Sequence, residues 1–404
     1  MGMVKRKIGD ILTLQRGYDL PASKMEGGNV AVVGSNGIIG YHNIVKYDAP
    51  CIIVGRSGSV GKVRYYSIPT WPHNTALFVK DFKGNDPLYL YYFLKNLHLD
   101  EKFSKSSSVV PSLDRNIVHS LHVQFQEDIN EQKNIAKILS AFDIKIALNR
   151  QINDNLEAMA RQLYDYWFVQ FDFPNENGKP YKSNGGKMVW NEKLKRNIPN
   201  KWNNGILSNI ANITMGQSPD GSSYNENGNG TIFYQGSTDF GIRFPSIRKY
   251  TTAPSRFAKK GDILMSVRAP VGAMNIANND CCIGRGLTSL SSKVGSTTHL
   301  YYILDDLRMK FENINSAGTT FGALTKDGLY GLPVVVPSVD IIKQFEDICK
   351  PIFDKQMCIG EEINALTKQR DELLPLLMNG QATVNYHLSL AHITPTTLAP
   401  LCTP

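Results

Sequence analysis

Two stretches of this chain repeat apolar residues every seven positions over more than four helical turns. In the first, Ile135, Phe142, Asn149, Leu156 and Leu163 form one seam, and Ile138, Lys145, Ile152 and Met159 a second. In the other, Phe345, Ile352, Ile359, Leu366 and Leu373 keep the same period, with Ile363 and Leu377 beside them. Heptads of this length, flanked by Glu, Lys, Gln and Asn, predict coiled-coil helices rather than core helices of a globule. Each is expected to run about 35 residues, or ~50 Å at about 1.5 Å per residue. Asn149, Lys145, Gln356 and Arg370 interrupt the seams, where polar residues fix register and partner at some cost in stability. Pro351 and Pro375 are expected to kink or end the second helix. Two seams of matched period on one chain are expected to pair with each other, antiparallel; pairing with another protein stays open beside that.

The segments preceding each helix read as mixed α/β, with many short strands. Cys51-Ile52-Ile53-Val54 and Asp262-Ile263-Leu264-Met265 are buried-strand candidates, each followed by a glycine-containing turn, and Val123–Phe125 and Val334–Val336 are last strands before each long helix. These pieces recur at one offset. Val60-Gly61 returns as Val271-Gly272, Leu121-His122-Val123 as Leu332-Pro333-Val334, and Ile152-Asn153 as Ile363-Asn364, each 211 residues on. A single offset across three unlike stretches implies an internal duplication, ordered module–helix–module–helix. Gly17 matches Gly216 at a shift of 199, so the second copy carries 12 extra residues between Gly216 and Gly272. The polar run Gly221–Gly230 is the expected insert, as a solvent-facing loop. Two similar lobes on one chain make a pseudo-twofold object, and duplex DNA is a ligand of matching symmetry.

Charge sharpens that picture. The chain of 404 residues carries a net charge of +8. Residues 1–125 hold 15 Lys+Arg against 9 Asp+Glu and residues 200–336 hold 13 against 9, whereas 126–199 is nearly balanced and 337–404 acidic. The positive excess therefore lies in the two modules, as DNA binding through both requires. No apolar run approaches the roughly 18 residues of a membrane span, and the N-terminus, with Lys5, Arg6, Lys7, Asp10 and Arg16, is not a secretory signal. Met3 serves equally well as a start. The six cysteines show no CxxC and no neighbouring histidines at ligand spacing, which reads as reduced thiols in a cytoplasmic protein.

The motifs in order are Gly34-Ser35-Asn36-Gly37-Ile38-Ile39-Gly40-Tyr41 and Ile53–Lys62 in the first module. In the second they are Met215–Pro219, Tyr234-Gln235-Gly236, Gly261–Gly272 and Ile283-Gly284-Arg285-Gly286-Leu287. The helices end in Leu163–Asp172 and Arg370–Gly380. This arrangement closely resembles the specificity subunit of type I restriction–modification enzymes, over nearly the whole chain up to about Gln381. The resemblance implies an α+β fold of two target recognition domains separated by two long antiparallel coiled-coil helices. Its parts are a first recognition domain at 1–125, a central helix at 126–175, a linker at 176–199, a second recognition domain at 200–336 and a distal helix at 337–381; the remaining 382–404 reads as a disordered tail or a read-through extension. It further implies a bipartite, asymmetric site on double-stranded DNA. Two modification (methyltransferase) subunits and restriction/translocase subunits would be the partners, carrying all catalysis and using S-adenosylmethionine, ATP and Mg. The tail departs from the family: it holds no Asp, Glu, Lys or Arg.

The residues themselves support a binding protein rather than an enzyme. Gly55–Lys62 is not a nucleotide loop, because Arg56 and Val63 stand where a phosphate loop needs Gly and Ser or Thr. Asp128, Glu131 and Lys133 have nuclease-like order but open a long helix. No metal-ligating histidine pattern appears. Glycine-rich turns with Arg, Lys, Ser, Asn and Gln are instead suited to approach phosphates and base edges closely. The expected DNA contacts are Ser35, Asn36, Arg56, Ser57, Ser59, Lys62, Lys105, Ser106, Ser107 and Arg115 in the first module. In the second they are Gln217, Ser218, Tyr234, Gln235, Ser237, Arg268, Arg285, Thr319, Thr320 and Lys326. Trp167, Phe168, Leu374 and Leu377 are expected to form an exposed surface that docks partners. Trp71 and Tyr164–Phe168 suit packing better than base stacking. A free-standing DNA-binding regulator with a coiled-coil spacer is the alternative; it would bind specifically without partners.

Overall fold

The computed structural model describes residues 2–103, 112–316 and 324–383. Four helices organise them: α1 (Pro87–Asn96), α2 (Ile129–Tyr164), α3 (Thr297–Ser316) and α4 (Val339–Met378). Two compact units result, one built from the chain up to Ala147 and from Asn364 onwards, the other from Leu148–Ile363. Each unit holds one module and a stretch of both long helices. None of the helices among the described residues is long and apolar enough to cross a membrane.

In the first unit an antiparallel sheet runs in the order Thr13–Arg16, Ala76–Asp81, Cys51–Gly55, Val63–Tyr66. Its central strand is buried on both faces because successive side chains alternate. Ile52 and Val54 join the core under α1, whereas Cys51 and Ile53, with Phe78 of the neighbouring strand, face Ala31 and Val33 of a second small sheet. That second sheet pairs Gly37–His42 antiparallel, and Thr70–Pro72 parallel, with Val30–Gly34. Helix α1 starts where Asp86 accepts a hydrogen bond from the Tyr89 amide (2.8 Å) and Pro87 presets the first turn. Its buried Tyr92 donates to Asp143 of α2 at 2.6 Å, and Arg370 of α4 closes the trio on the same carboxylate.

The second unit repeats this plan. Ala211–Met215, Leu287–Ser292, Ile263–Ser266 and Met274–Ile276 form the sheet in the same order, and Cys281–Ile283 runs parallel to Thr231–Tyr234 as Thr70–Pro72 does to Val30–Gly34. Asn203–Ile206 pairs with Pro333–Val336 just as Val4–Lys7 pairs with His122–Phe125. The helices pair antiparallel: Asn153 meets Gln356 while Tyr164, eleven residues later, meets Phe345, eleven residues earlier.

Four expectations need correction. On α2 the first seam holds, but the second comprises Leu139, Ile146, Asn153 and Ala160, which are buried. Ile152 and Met159, taken for that seam, are 45% and 58% exposed. A step of four from Ile135 is used rather than three, a choice that only the partner surface makes. Helix α4 does not end at Pro351 or Pro375 but continues to Met378. The segment 176–199 is not a bare linker: Met188–Asn191 and Arg196–Pro199 form a hairpin, and Phe173, Ile198 and Trp202 enter the core. The extra length of the second copy lies mainly beyond Tyr234, not in Gly221–Gly230. Val30 opposes His42 in the first module, but Thr231 opposes Thr251 in the second, a connection eight residues longer.

Trp167 and Phe168 are 4% and 6% exposed, packed with Tyr164, Phe345 and His299 in the core of their unit. Leu374 and Leu377 are equally buried under the first module. The exposed docking surface expected of these four is therefore absent. Their apolar area is covered by the chain itself.

His299 lies inside that aromatic cluster, its ring 4.5 Å from that of Phe168, and burial pushes its imidazole down to about 3. An unfolded histidine titrates near ~6.5, so between these values the unfolded chain binds a proton that the folded chain refuses. The His299 contribution is complete above about pH 6.5 and is lost progressively as pH falls toward about 3. Urea unfolding at pH 7 and pH 5 should show His299→Phe losing markedly less stability on acidification than the parent. Equal losses in the two chains would contradict this account.

Candidate nucleic-acid interface

In the first module, three separate turns meet. The turn after Val30–Gly34 carries Ser35 and Asn36, the turn after Cys51–Gly55 carries Arg56, Ser57 and Ser59, and the turn before Ala76–Asp81 carries His73, Asn74 and Thr75. The Ser59 hydroxyl donates to the Asn36 side-chain carbonyl, and that of Ser57 to the Thr75 carbonyl at 3.4 Å. Arg56 donates to the Asn74 carbonyl at 3.4 Å. The turn needs its glycines: a Cβ on Gly55 would lie 1.9 Å from the Ser59 carbonyl oxygen, and one on Gly61 2.2 Å from the Asp100 amide. Gly61 also sits at φ +77°, where other residues are strained.

Not every expected contact faces outward. Ser35 is 6% exposed and donates its hydroxyl to the Ser57 carbonyl, so it holds the two turns together instead of reaching a ligand. Asn36 and Lys62 are exposed, and Arg56, Ser57 and Ser59 partly so. Arg115 opens a short helix capped by Asp114, and the preceding Leu113 amide donates to the Arg56 carbonyl at 2.8 Å. That bond brings the start of the Arg115 helix beside the cluster. Lys105, Ser106 and Ser107 lie outside the described residues. Arg64 and Asn74 were missed. Arg64 donates to the Ser35 carbonyl at 2.5 Å, and Asn74 to Asp19. Arg64 is two residues from Lys62 but sits on the strand Val63–Tyr66, and nothing in its local sequence separates it from an ordinary strand cation.

The second module assembles a parallel cluster. The Arg285 amide donates to the Ser218 hydroxyl at 3.2 Å, and the Gln217 amide donates to the Ile283 carbonyl at 3.0 Å. Gly284 and Gly286 press against the backbone of Gln235, where a Cβ would come within 3.1 and 2.8 Å. Gln217, Ser218, Gln235 and Arg285 are thus neighbours although their sequence positions are far apart. Buried Asp239 accepts from the Gln235 amide at 2.7 Å and from the Arg248 Nε at 2.9 Å, which adds Arg248, another residue the sequence reading missed. Tyr234 is fully buried, and its ring belongs to the module core; the expected contact through it is withdrawn. The strand ends at Tyr234, with Phe233 and Tyr234 both buried, and Gln235 is exposed in the turn that follows.

Ser237 begins a short turn of 3-10 helix beside Gln235, and Arg268 is exposed next to Gly286, since the Val267 amide donates to the Gly286 carbonyl at 3.0 Å. The Leu324 amide donates to the Val267 carbonyl at 2.8 Å, repeating the Leu113–Arg56 bond at an offset of 211. Lys326, exposed at the start of a helix capped by Thr325, then occupies the place of Arg115. Thr319 and Thr320 lie outside the described residues. Trp71 is 8% exposed, packed edge-on to His42, as a core residue. Among the described residues no cluster of His, Cys, Asp and Glu is arranged to hold a metal.

The sequence model of the type I restriction modification DNA specificity domain matches twice, at residues 1–158 and 199–368. Over 310 residues, 74% of this chain and 69% of the relative, the chain is 32% identical to a Methanocaldococcus jannaschii protein assigned as the MjaX specificity subunit of a type I restriction enzyme. It is 24% identical over 363 residues, 73% of this chain and 77% of the relative, to the HindI specificity subunit of Haemophilus influenzae. The crystal structure of a type I restriction–modification S subunit from M. genitalium shares the fold, with a TM-score of 0.59 at 20% identity, covering 93% of this chain and 96% of that one. Matched along both of its copies, the chain belongs to the family of type I restriction–modification DNA specificity proteins.

Proposed function

We propose that this chain is the sequence-specific DNA-recognition subunit of a type I restriction–modification complex. Each module reads one half of a bipartite, asymmetric site on double-stranded DNA, and the long helices set the unread gap. The observation that carries this reading is the recurrence, in both units, of exposed or partly exposed Arg, Ser and Asn or Gln gathered from distant turns on glycine-shaped backbone. Such groups donate to phosphates and match base edges: Arg to guanine, Asn and Gln to adenine. Methylation and cleavage belong to partner chains in the cytoplasm, a methyltransferase using S-adenosylmethionine and a restriction/translocase subunit using ATP and Mg. Leu148, Ile152 and Met159, exposed on one face of α2, are the better candidates for docking a modification subunit than the buried Trp167 and Phe168. Docking there would cover apolar area that the chain leaves in water.

Affinity for duplex DNA, measured from 50 to 200 mM salt with and without a methyltransferase partner, tests this reading. Binding should weaken steeply with salt, because cations on the protein displace condensed counterions from the phosphates. Arg285→Ala should weaken specific binding about 10- to 100-fold if the guanidinium reads a base, or flatten the logarithmic salt slope by about one if it holds a phosphate. Affinity indifferent to salt would remove the DNA interface. Specific binding at full strength by the chain alone would favour a free-standing regulator.

A further inference from the structure

The extended connection of the second module does not stay in solvent. Between Tyr234 and Tyr250 it carries Arg243 and Phe244 onto the helix pair of its own unit. Arg243 donates to Glu157 of α2 at 2.9 Å, and its side chain is only 9% exposed. The guanidinium lies 4.4 Å from the centroid of the Phe353 ring of α4 and 5.4 Å from that of Tyr301 of α3. Buried Gln356 of α4 donates to the same Glu157 carboxylate at 2.9 Å. Beside it Phe244 packs on Gly360, where a Cβ would lie 2.7 Å from the ring.

We propose that Arg243 is a positioning residue: it clamps the second module to its helix pair and so fixes the gap at which that module reads its half-site. This rests on the bipartite reading above. The module already joins the helices through the aromatic cluster around Phe345. Gly360 lies 15 residues farther along α4, about 22 Å at about 1.5 Å per residue. One attachment permits rocking, whereas two that far apart do not. Over a ~20 Å lever a tilt of about 10° moves a reading surface by roughly 3.4 Å, one base step.

The chemistry of the contact fits a geometric role better than a stabilising one. Nε and one terminal nitrogen of Arg243 are buried without a hydrogen-bond partner, so the ion pair is an expensive way to fill space. An apolar residue would fill the same volume at less cost, but it would not demand one carboxylate at one position. Among the described residues of the first module no arginine repeats this contact. There Tyr92 of the module donates to Asp143 of α2, which also accepts from Arg370 of α4, and the strand connection is eight residues shorter.

The test expresses the full chain with the modification subunit encoded beside it and reads methylated positions across the host genome. The parent should give one two-part motif with a single gap. Arg243→Met, which keeps the stacked hydrocarbon, should retain both half-sites but add motifs with the gap changed by one base pair, at a tenth or more of the parental level. Gly360→Leu, which displaces Phe244 without touching a charge, should do the same, and Arg243→Lys should restore most of the single-gap selectivity. A single unchanged gap in both Arg243→Met and Gly360→Leu overturns the proposal. So does loss of all methylation in both, which would make the contact a folding element. If the parent itself shows no two-part motif, the underlying reading has failed instead.

Discussion

Replacing residues 200–336 by the second module of another specificity protein is expected to change one half of the methylated site completely and leave the other half untouched. The reason is physical separation of the two reading clusters. Asn36, Arg56, Ser57 and Ser59 belong to one compact unit and Gln217, Ser218, Gln235 and Arg285 to the other, each on its own sheets and core. Each mismatched base pair costs about 1–3 kcal/mol, so two changed positions should cut modification of the original site by roughly 30- to 10⁴-fold. The exchange must respect the seam with the helices. Arg161 of α2 pairs with Asp305 (2.8 Å) and Asp306 of α3, so a donor should keep both carboxylates. Methylation mapping of the hybrid decides the matter. A change in both halves, or in neither, would mean that recognition is not divided between the modules.

Phe345→Ala is the substitution expected to damage stability most. The ring is fully buried, with centroids 5.0 Å from Phe168, 5.8 Å from Trp167 and 6.2 Å from Tyr164. Deleting a buried aromatic removes its transfer free energy and leaves a cavity, together about 3–5 kcal/mol. For a unit of this size that should lower the melting temperature by roughly 10 °C, read by calorimetry of the intact chain. Met159→Ala is the control. That side chain is 58% exposed, so its loss should change stability by about 0.5 kcal/mol at most while weakening any partner docked on α2. A Phe345→Ala chain that melted with the parent would show the aromatic cluster to be incidental, and Trp167 and Phe168 would return as docking candidates.

Local pattern and tertiary choice part company at identifiable residues. The glycine-containing turns that follow Cys51–Val54 and Asp262–Met265 were legible because the residue type itself marks a turn, whereas the close contacts of Gly55 and Gly284 came only from the structure. Ser35 and Tyr234 were misread because their immediate neighbours suit a DNA-facing turn. One hydroxyl goes to the Ser57 carbonyl and one ring goes to the core, and neither partner is local. Arg64, Asn74 and Arg248 were invisible for the converse reason, being ordinary alone and interesting only beside Ser35, Asp19 and Asp239.

By itself the sequence determined the duplication, the order module–helix–module–helix, the seam of α4 and the glycine-shaped turns. All of these depend on periodicity or on conformational limits that act within a few residues or repeat at a fixed offset. Only the tertiary structure decided which of two candidate seams on α2 is buried, whether the aromatic run at Trp167 and Phe168 faces a partner or its own core, and where the extra residues of the second module go. Each of those is a competition between surfaces remote in sequence. Ile152 is as apolar as Ile146, yet only Ile146 finds a surface to cover it.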